Sequence, residues 1–257
     1  MAKWTAFPYD NSAFVYDAAS LKKQWARLHL GDAEPWPKDP AVVQAWIHFH
    51  AGEFQKAVEA GLAAGGAGIT AANKAQAIYA NYLEKKEKTK LELLLDVAER
   101  AEAQQKVEPD NPNAWYWQAY AIGRYSQGIS VAKALTQGLG GKVKFALEKA
   151  IALAPKHADA HIALGAFHAE VIDKVGKLLG KTQGADTATG LKMYEQALKL
   201  NPGSAIGMIE RANGLVMLEG EKRLKLAEEL YAKAAACEPM DAMEALDVQM
   251  AREELED

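Results

Sequence analysis

The chain is predicted to be all-α: a right-handed superhelical solenoid of antiparallel helix pairs, with two overlong inner helices and a C-terminal capping helix. Three observations carry this. Pro109, Pro155, Pro202 and Pro239 each follow an amphipathic stretch, at spacings of 46, 47 and 37 residues, which is in or near the range of helix-pair arrays. The last three prolines close related segments, ALEKAIALAP, YEQALKLNP and YAKAAACEP. Apolar residues recur at helical spacing along the chain, as buried helix faces require.

The elements follow in order. Residues 1–17 form an irregular lead containing Pro8, and a helix near 18–30 places Leu21, Trp25 and Leu28 on one face. GDAEPWPKDP, residues 31–40, is a turn-rich link. A first helix pair spans 41–64 with Gly52 at its turn and Ala57 at a close-approach position; a second spans 71–86 and 90–107, with Gln104 where alanine is expected. The third and fourth pairs carry about a dozen extra residues each. Their apolar pattern runs from Ala114 to Leu135 and from Ile162 to Leu179, so the expectation is two continuous inner helices that overhang the stack by about 18 Å. They end in the breaker clusters TQGLGG (136–141) and GKTQGADTATG (180–190). Gly165 and Ala197 are expected to face each other across a close crossing. Residues 240–255, with Met243, Leu246 and Met250 on one stripe, read as the capping helix. The division is thus a lead and helix at 1–40, an array of about five pairs at 41–239 and a cap at 240–257, all in one structural domain.

Ala150, Ala197 and Ala234 lie five residues before their prolines, and Leu147, Tyr194 and Tyr231 lie eight before. Trp115 and Ala119, then His161, Leu164 and Gly165 in HIALGAF, then Met208 and Ala212 mark the inner helices. This pattern resembles the tetratricopeptide repeat. With the long insertions in two units, and the runs NAWYWQAYAIGRYSQG and ADAHIALGAFHAEVIDKVGKLLGK, residues 90–240 are similar to two divergent groups of that type. These are the regulator of microtubule dynamics family and the lipoprotein partner of TRAP transporters. The resemblance implies a helical array with a groove or tunnel.

Composition narrows the function classes. A net charge of −4, from 30 basic and 34 acidic residues, leaves no footprint for nucleic acid. No apolar run is long enough to span a bilayer, and MAKWTAFPYDNSAF is not a secretory signal as written. The single Cys237 reads as a core residue and forms no internal disulfide. A cytoplasmic location is expected.

Chemical motifs are weak. GAGITA (66–71) matches a dinucleotide fingerprint but follows a helical stretch, whereas that loop must leave a strand. GGK (140–142) reads as a turn. His157, His161 and His168 share helical spacing but sit at packing positions; His48 and His50 face different ways and make no site. No cofactor or metal is expected, and the chain reads as non-enzymatic.

What remains is the concave surface. Steps of three and four residues place Asn113, Tyr116, Tyr120 and Arg124 on one inner helix face, Asp159, Ile162, Ala166 and Glu170 on the next, and Ile209, Asn213 and Met217 on the third. The mixture lacks the lysines of a carboxylate clamp and suits an apolar peptide or an elongated ligand with one polar end. The expected function is an adaptor that recognises a protein or peptide partner in this groove; the alternative is a carrier of an elongated apolar small molecule, accessory to a transport system.

Overall fold

A computed structural model describes residues 3–256. Among them there are thirteen α-helices and no strand. In chain order they are α1 (Ala18–Leu28), α2 (Pro40–His50), α3 (Phe54–Ala64), α4 (Gly68–Tyr82), α5 (Glu87–Val107), α6 (Pro112–Ile129), α7 (Val131–Thr136), α8 (Leu139–Leu153), α9 (Ala158–Thr182), α10 (Thr187–Leu200), α11 (Ala205–Glu219), α12 (Leu224–Ala235) and α13 (Ala242–Glu256). They pack in consecutive pairs as a helical solenoid. The lead is held onto this body: Trp4 stacks on Tyr79 with ring centroids 4.0 Å apart, and Asn11 donates to the Ala51 carbonyl at 2.7 Å.

Each repeat proline sets the start of the next helix. Two residues after Pro109, Pro155, Pro202 and Pro239 stand Asn111, His157, Ser204 and Asp241, and each side chain accepts a first-turn amide of α6, α9, α11 and α13 respectively. Such caps satisfy donors that have no intrahelical partner. His157 performs this with an imidazole nitrogen, Nδ1, 3.1 Å from the Ala160 amide.

Asp241 corrects the expectation of a simple end cap. Its place after Pro239 makes α13 the inner helix of a further unit. As in the other units, that helix lies on the concave side. The inner helices pack in succession, α2 on α4, α4 on α6, α6 on α9, α9 on α11 and α11 on α13, and α13 returns to α2. Four polar contacts fasten this closure: Tyr16 to the Met240 carbonyl at 2.7 Å, Arg27 to Glu244 at 2.6 Å, His50 to Asp241 at 2.7 Å and Tyr82 to Asp247 at 2.5 Å. The concave face is therefore closed into a ring rather than left as an open groove.

The two inner helices are not continuous. α6 reaches Ile129, past Gln127, but Ser130 takes φ 80° and α7 turns away. α9 breaks at Gly176, φ 78°, before a tail at 177–182. Left-handed glycines close both insertions, Gly138 at φ 72° and Gly184 at φ 76°. The units are thus built alike: a break, six helical residues and a left-handed glycine. Ala134 and Gly180, in equivalent positions, are the buried residues of the two short segments. A Cβ on Gly180 would stand 3.2 Å from Ile172, so the tail folds back on its own helix. The apolar pattern continues through both breaks because periodicity does not register one residue with positive φ. Leu178 and Leu179, read as part of a buried stripe, are exposed. The turn of TQGLGG ends at Gly138, and GGK lies inside α8.

The close crossing at Gly165 has a different partner from the one expected. A Cβ there would meet the Tyr194 ring at 2.9 Å, and one on Gly214 would meet the same ring at 2.3 Å. Tyr194, 1% exposed, lies between α9 and α11, and Ala197 packs one turn further along α10.

Candidate functional site

Inside the ring lies a pocket of about 110 Å³, bounded by α4, α6, α7, α8, α9, α11 and α13. Its walls are largely apolar, with Ile78, Val131, Leu135, Val143, Phe167 and Val171 among them. α7 supplies part of one wall, so the first insertion takes part in shaping the cavity.

Three of the four residues expected from α6, Tyr116, Tyr120 and Arg124, line it, and so do all four expected from α9, Asp159, Ile162, Ala166 and Glu170. The third helix differs. Ile209 is 2% exposed in a separate cluster with Ala234, Val248 and Ala251. Asn213 accepts a hydrogen bond from Tyr231 on α12 at 2.8 Å, and Met217 packs into the main core. In their place α11 presents Ile206 and Glu210. The face seen by the pocket is rotated because α13 covers the side on which Ile209 lies, and that packing was invisible while α13 was read as an end cap.

Two polar ends flank the apolar walls. At the mouth, where Gln127 is exposed, Arg124 pairs with Glu210 at 2.8 Å and lies 5.3 Å from the centre of the Tyr120 ring, while Gln127 donates to Glu170. Burial and the neighbouring Glu210 raise the Glu170 carboxyl above its usual range. At the deep end are Tyr116, 6% exposed, and Asp159, whose carboxyl is pushed up to about 7 by burial and by the nearby Asp32. Asp159 also lines a smaller polar cavity with Lys74, Asp241 and Glu244.

Beyond Asp159 the ring interior holds a buried polar network. Asp32 pairs with Lys74 at 2.6 Å and with His29 at 2.9 Å; His29 and His50 approach Nε2 to Nε2 at 3.3 Å, and His50 continues to Asp241. Asn113, expected to face the groove, is 1% exposed and joins Glu34 at 2.6 Å to His157 at 2.9 Å. Burial drives His29 down to about 4 and Glu34 up to about 8. His50 is thus part of a structural network rather than without a role, whereas His48 pairs separately with Glu53. His161 donates from Nδ1 to the His157 carbonyl at 2.9 Å, and His168 accepts the Asp186 amide at 3.0 Å. The network escaped the sequence because Asp32 and Glu34 sit in a link read only as turns. The one available signal was Asp241 at a capping position.

The remaining motifs resolve simply. GAGITA joins α3 to α4, two helices, with Gly65 and Gly66 at positive φ. Cys237 is half-buried against the α11–α13 cluster. No group of His, Cys, Asp or Glu among the described residues could hold a metal ion, and no described helix is long and apolar enough to cross a membrane.

The family model for Regulator of microtubule dynamics protein 1-3 matches residues 70–253. The chain belongs to this family. The match begins in α4 and ends in α13, so it contains the pocket, both insertions and the helix that closes the ring. No curated protein is significantly similar to the chain in sequence.

Proposed function

We propose that this member of the regulator of microtubule dynamics family is a non-enzymatic binding protein of tetratricopeptide-like build that holds an elongated ligand in the pocket between α6 and α9. The observation that carries this reading is ring closure: with α13 returned to α2, an extended peptide has no open concave groove, and a narrow apolar pocket with a polar mouth is left. Pockets of this form suit a small molecule whose body is apolar and whose ends are fixed by a few polar groups. The carrier reading, the one suggested by similarity to the TRAP-transporter lipoprotein partner, is therefore favoured over a groove-binding adaptor.

The adaptor reading keeps one specific support. Leu178 and Leu179 on the α9 tail are 83% and 60% exposed, which suits contact with a protein partner. In this reading the protein surface, not the pocket, is the interaction site.

Native mass spectrometry of the purified chain tests for a retained small molecule, and an uncharged fluorescent apolar probe tests the pocket directly. Ala166→Trp fills the pocket from α9 and is expected to abolish probe binding with the fold intact by circular dichroism. Probe binding that survives this substitution places the ligand elsewhere.

A further inference from the structure

We infer that the pocket is built for an unbranched aliphatic polyamine, with one ammonium group at Asp159 in the deep end and another at Glu170 at the mouth. The inference rests on the ligand-pocket reading above and names the ligand class.

The first argument is an unpaired carboxylate. Around the deep end the other buried acids have donors: Asp32 has Lys74 and His29, Asp241 has His50, Glu244 has Arg27, Asp247 has Tyr82, and Glu34 has Asn113. The Asp159 carboxylate has none among the described residues. Its helix does not supply one. The Asp159 amide donates to the Gly31 carbonyl at 3.0 Å, and the Ala160 amide is taken by the His157 ring. Asp159 is partly covered, and a desolvated carboxylate with no donor is costly to ionise, a cost that a cation entering the pocket removes.

The second argument is the lining beside it. Tyr116 is more than nine-tenths buried, faces the pocket, and its hydroxyl has no hydrogen-bond partner among the described residues. Tyr82 and Tyr120 also line the cavity. Tyrosine faces attract ammonium groups through the ring quadrupole, and a free hydroxyl accepts a hydrogen bond from one.

The third argument is spacing and charge. Asp159 and Glu170 are eleven residues apart on α9, about 16 Å along the axis, with Ile162, Ala163 and Ala166 between them on the pocket side. Acid, apolar wall, acid is the pattern of a molecule whose cations are separated by methylenes. Asp159, Glu170 and Glu210 against Arg124 leave the lining with an excess of negative charge.

The test is calorimetric titration of the full chain with spermine, hexylamine, hexanoate and hexan-1-ol, beside the uncharged probe. Spermine is expected to bind at one site and displace the probe, with hexanoate excluded. Asp159→Asn should weaken spermine at least about tenfold, and so should lowering the pH from about 8 to about 6, since Asp159 titrates at about 7 while the amines stay charged. Glu170→Gln should weaken spermine while sparing hexylamine, a readout that survives if the Asp159 variant misfolds. Glu92→Gln, on the exposed face of α5, should change nothing. Spermine binding indifferent to Asp159, Glu170 and pH overturns the inference. Entry of the probe or hexan-1-ol without competition by amines overturns it while leaving the pocket reading in place; binding of neither probe nor amine removes both.

Discussion

Replacing Gly214 by alanine is expected to destabilise the fold, although alanine is the better helix former. A Cβ at this position would lie 2.3, 2.6 and 2.6 Å from the Cε2, Cζ and Oη atoms of Tyr194. These distances are far inside van der Waals contact, and the ring is confined on its other side by Gly165, where a Cβ would stand 2.9 Å away. Tyr194 is 1% exposed and has nowhere to retreat. Overpacking of this kind costs about 1 to 3 kcal/mol, and with a ring that cannot retreat the upper part of that range applies; against a helix-propensity gain of about 1 kcal/mol the net loss is up to about 2 kcal/mol. Gly123 in the middle of α6 is the internal control, since no atom lies within 4 Å of its would-be Cβ. There the same substitution should stabilise by about 0.5 to 1 kcal/mol. Urea unfolding followed by far-ultraviolet circular dichroism measures both. Tyr194→Phe removes the Oη contact and should relieve part of the Gly214→Ala penalty in a double-mutant cycle. Gly214→Ala proving as stable as the parent would show that Tyr194 does not fill the space between α9 and α11.

Other expectations follow from the buried charges. Glu34 and Asp159 have folded pKa values raised to about 8 and about 7; the folded state then holds more protons than the unfolded one, so stability should fall as pH rises from about 5 toward 8. Glu34→Gln keeps the Asn113 contact and should flatten that decline, as read from urea midpoints across the range. His29 and His157, both lowered to about 4, act in the opposite sense between about 4 and 6.5, where their stability contribution rises with pH, so the net decline falls chiefly between about 6.5 and 8. Asp241→Ala leaves His50 without its partner and α13 without its cap, and should cost about 3 kcal/mol or more in the same unfolding measurement. In the pocket, Tyr120→Ala should cost about 2 kcal/mol or more of ligand affinity, whereas Met217→Ala should leave affinity unchanged in a titration.

The helices and their pairing were legible because prolines punctuate the chain at unit length and small residues mark the crossings. Tyr116, Tyr120, Arg124, Ile162, Ala166 and Glu170 share one pocket lining because α6 and α9 each follow a proline by a fixed interval, and helical spacing carries the register along one face. Register alone does not bring Ile209, Asn213 and Met217 to the pocket: α13 covers Ile209, Tyr231 of α12 takes Asn213, and Met217 packs into the main core. The breaks at Ser130 and Gly176 were illegible because each involves a single backbone angle, with no change in the apolar pattern around it. The Asp32–His29–His50–Asp241 chain was hidden more deeply. Its members run from residue 29 to residue 241, and no local rule connects a turn-rich link to a helix cap.

The return of α13 to α2 changes how the molecule should come apart. An open array unravels unit by unit, because each repeat touches only its neighbours. Here Tyr16 meets Met240 and Arg27 meets Glu244 across separations of 224 and 217 residues, contacts that tie the first helices to the last. Fraying from the C-terminus must break the α1, α2 and α4 contacts at once, so loss of the final helix exposes the interior of units near the N-terminus. Loop closure on this scale slows folding while coupling the two ends into one transition. Hydrogen exchange should accordingly show α13 among the late-opening amides, with protection matching that of α2 and α4, rather than the easily opened end that a linear repeat protein presents.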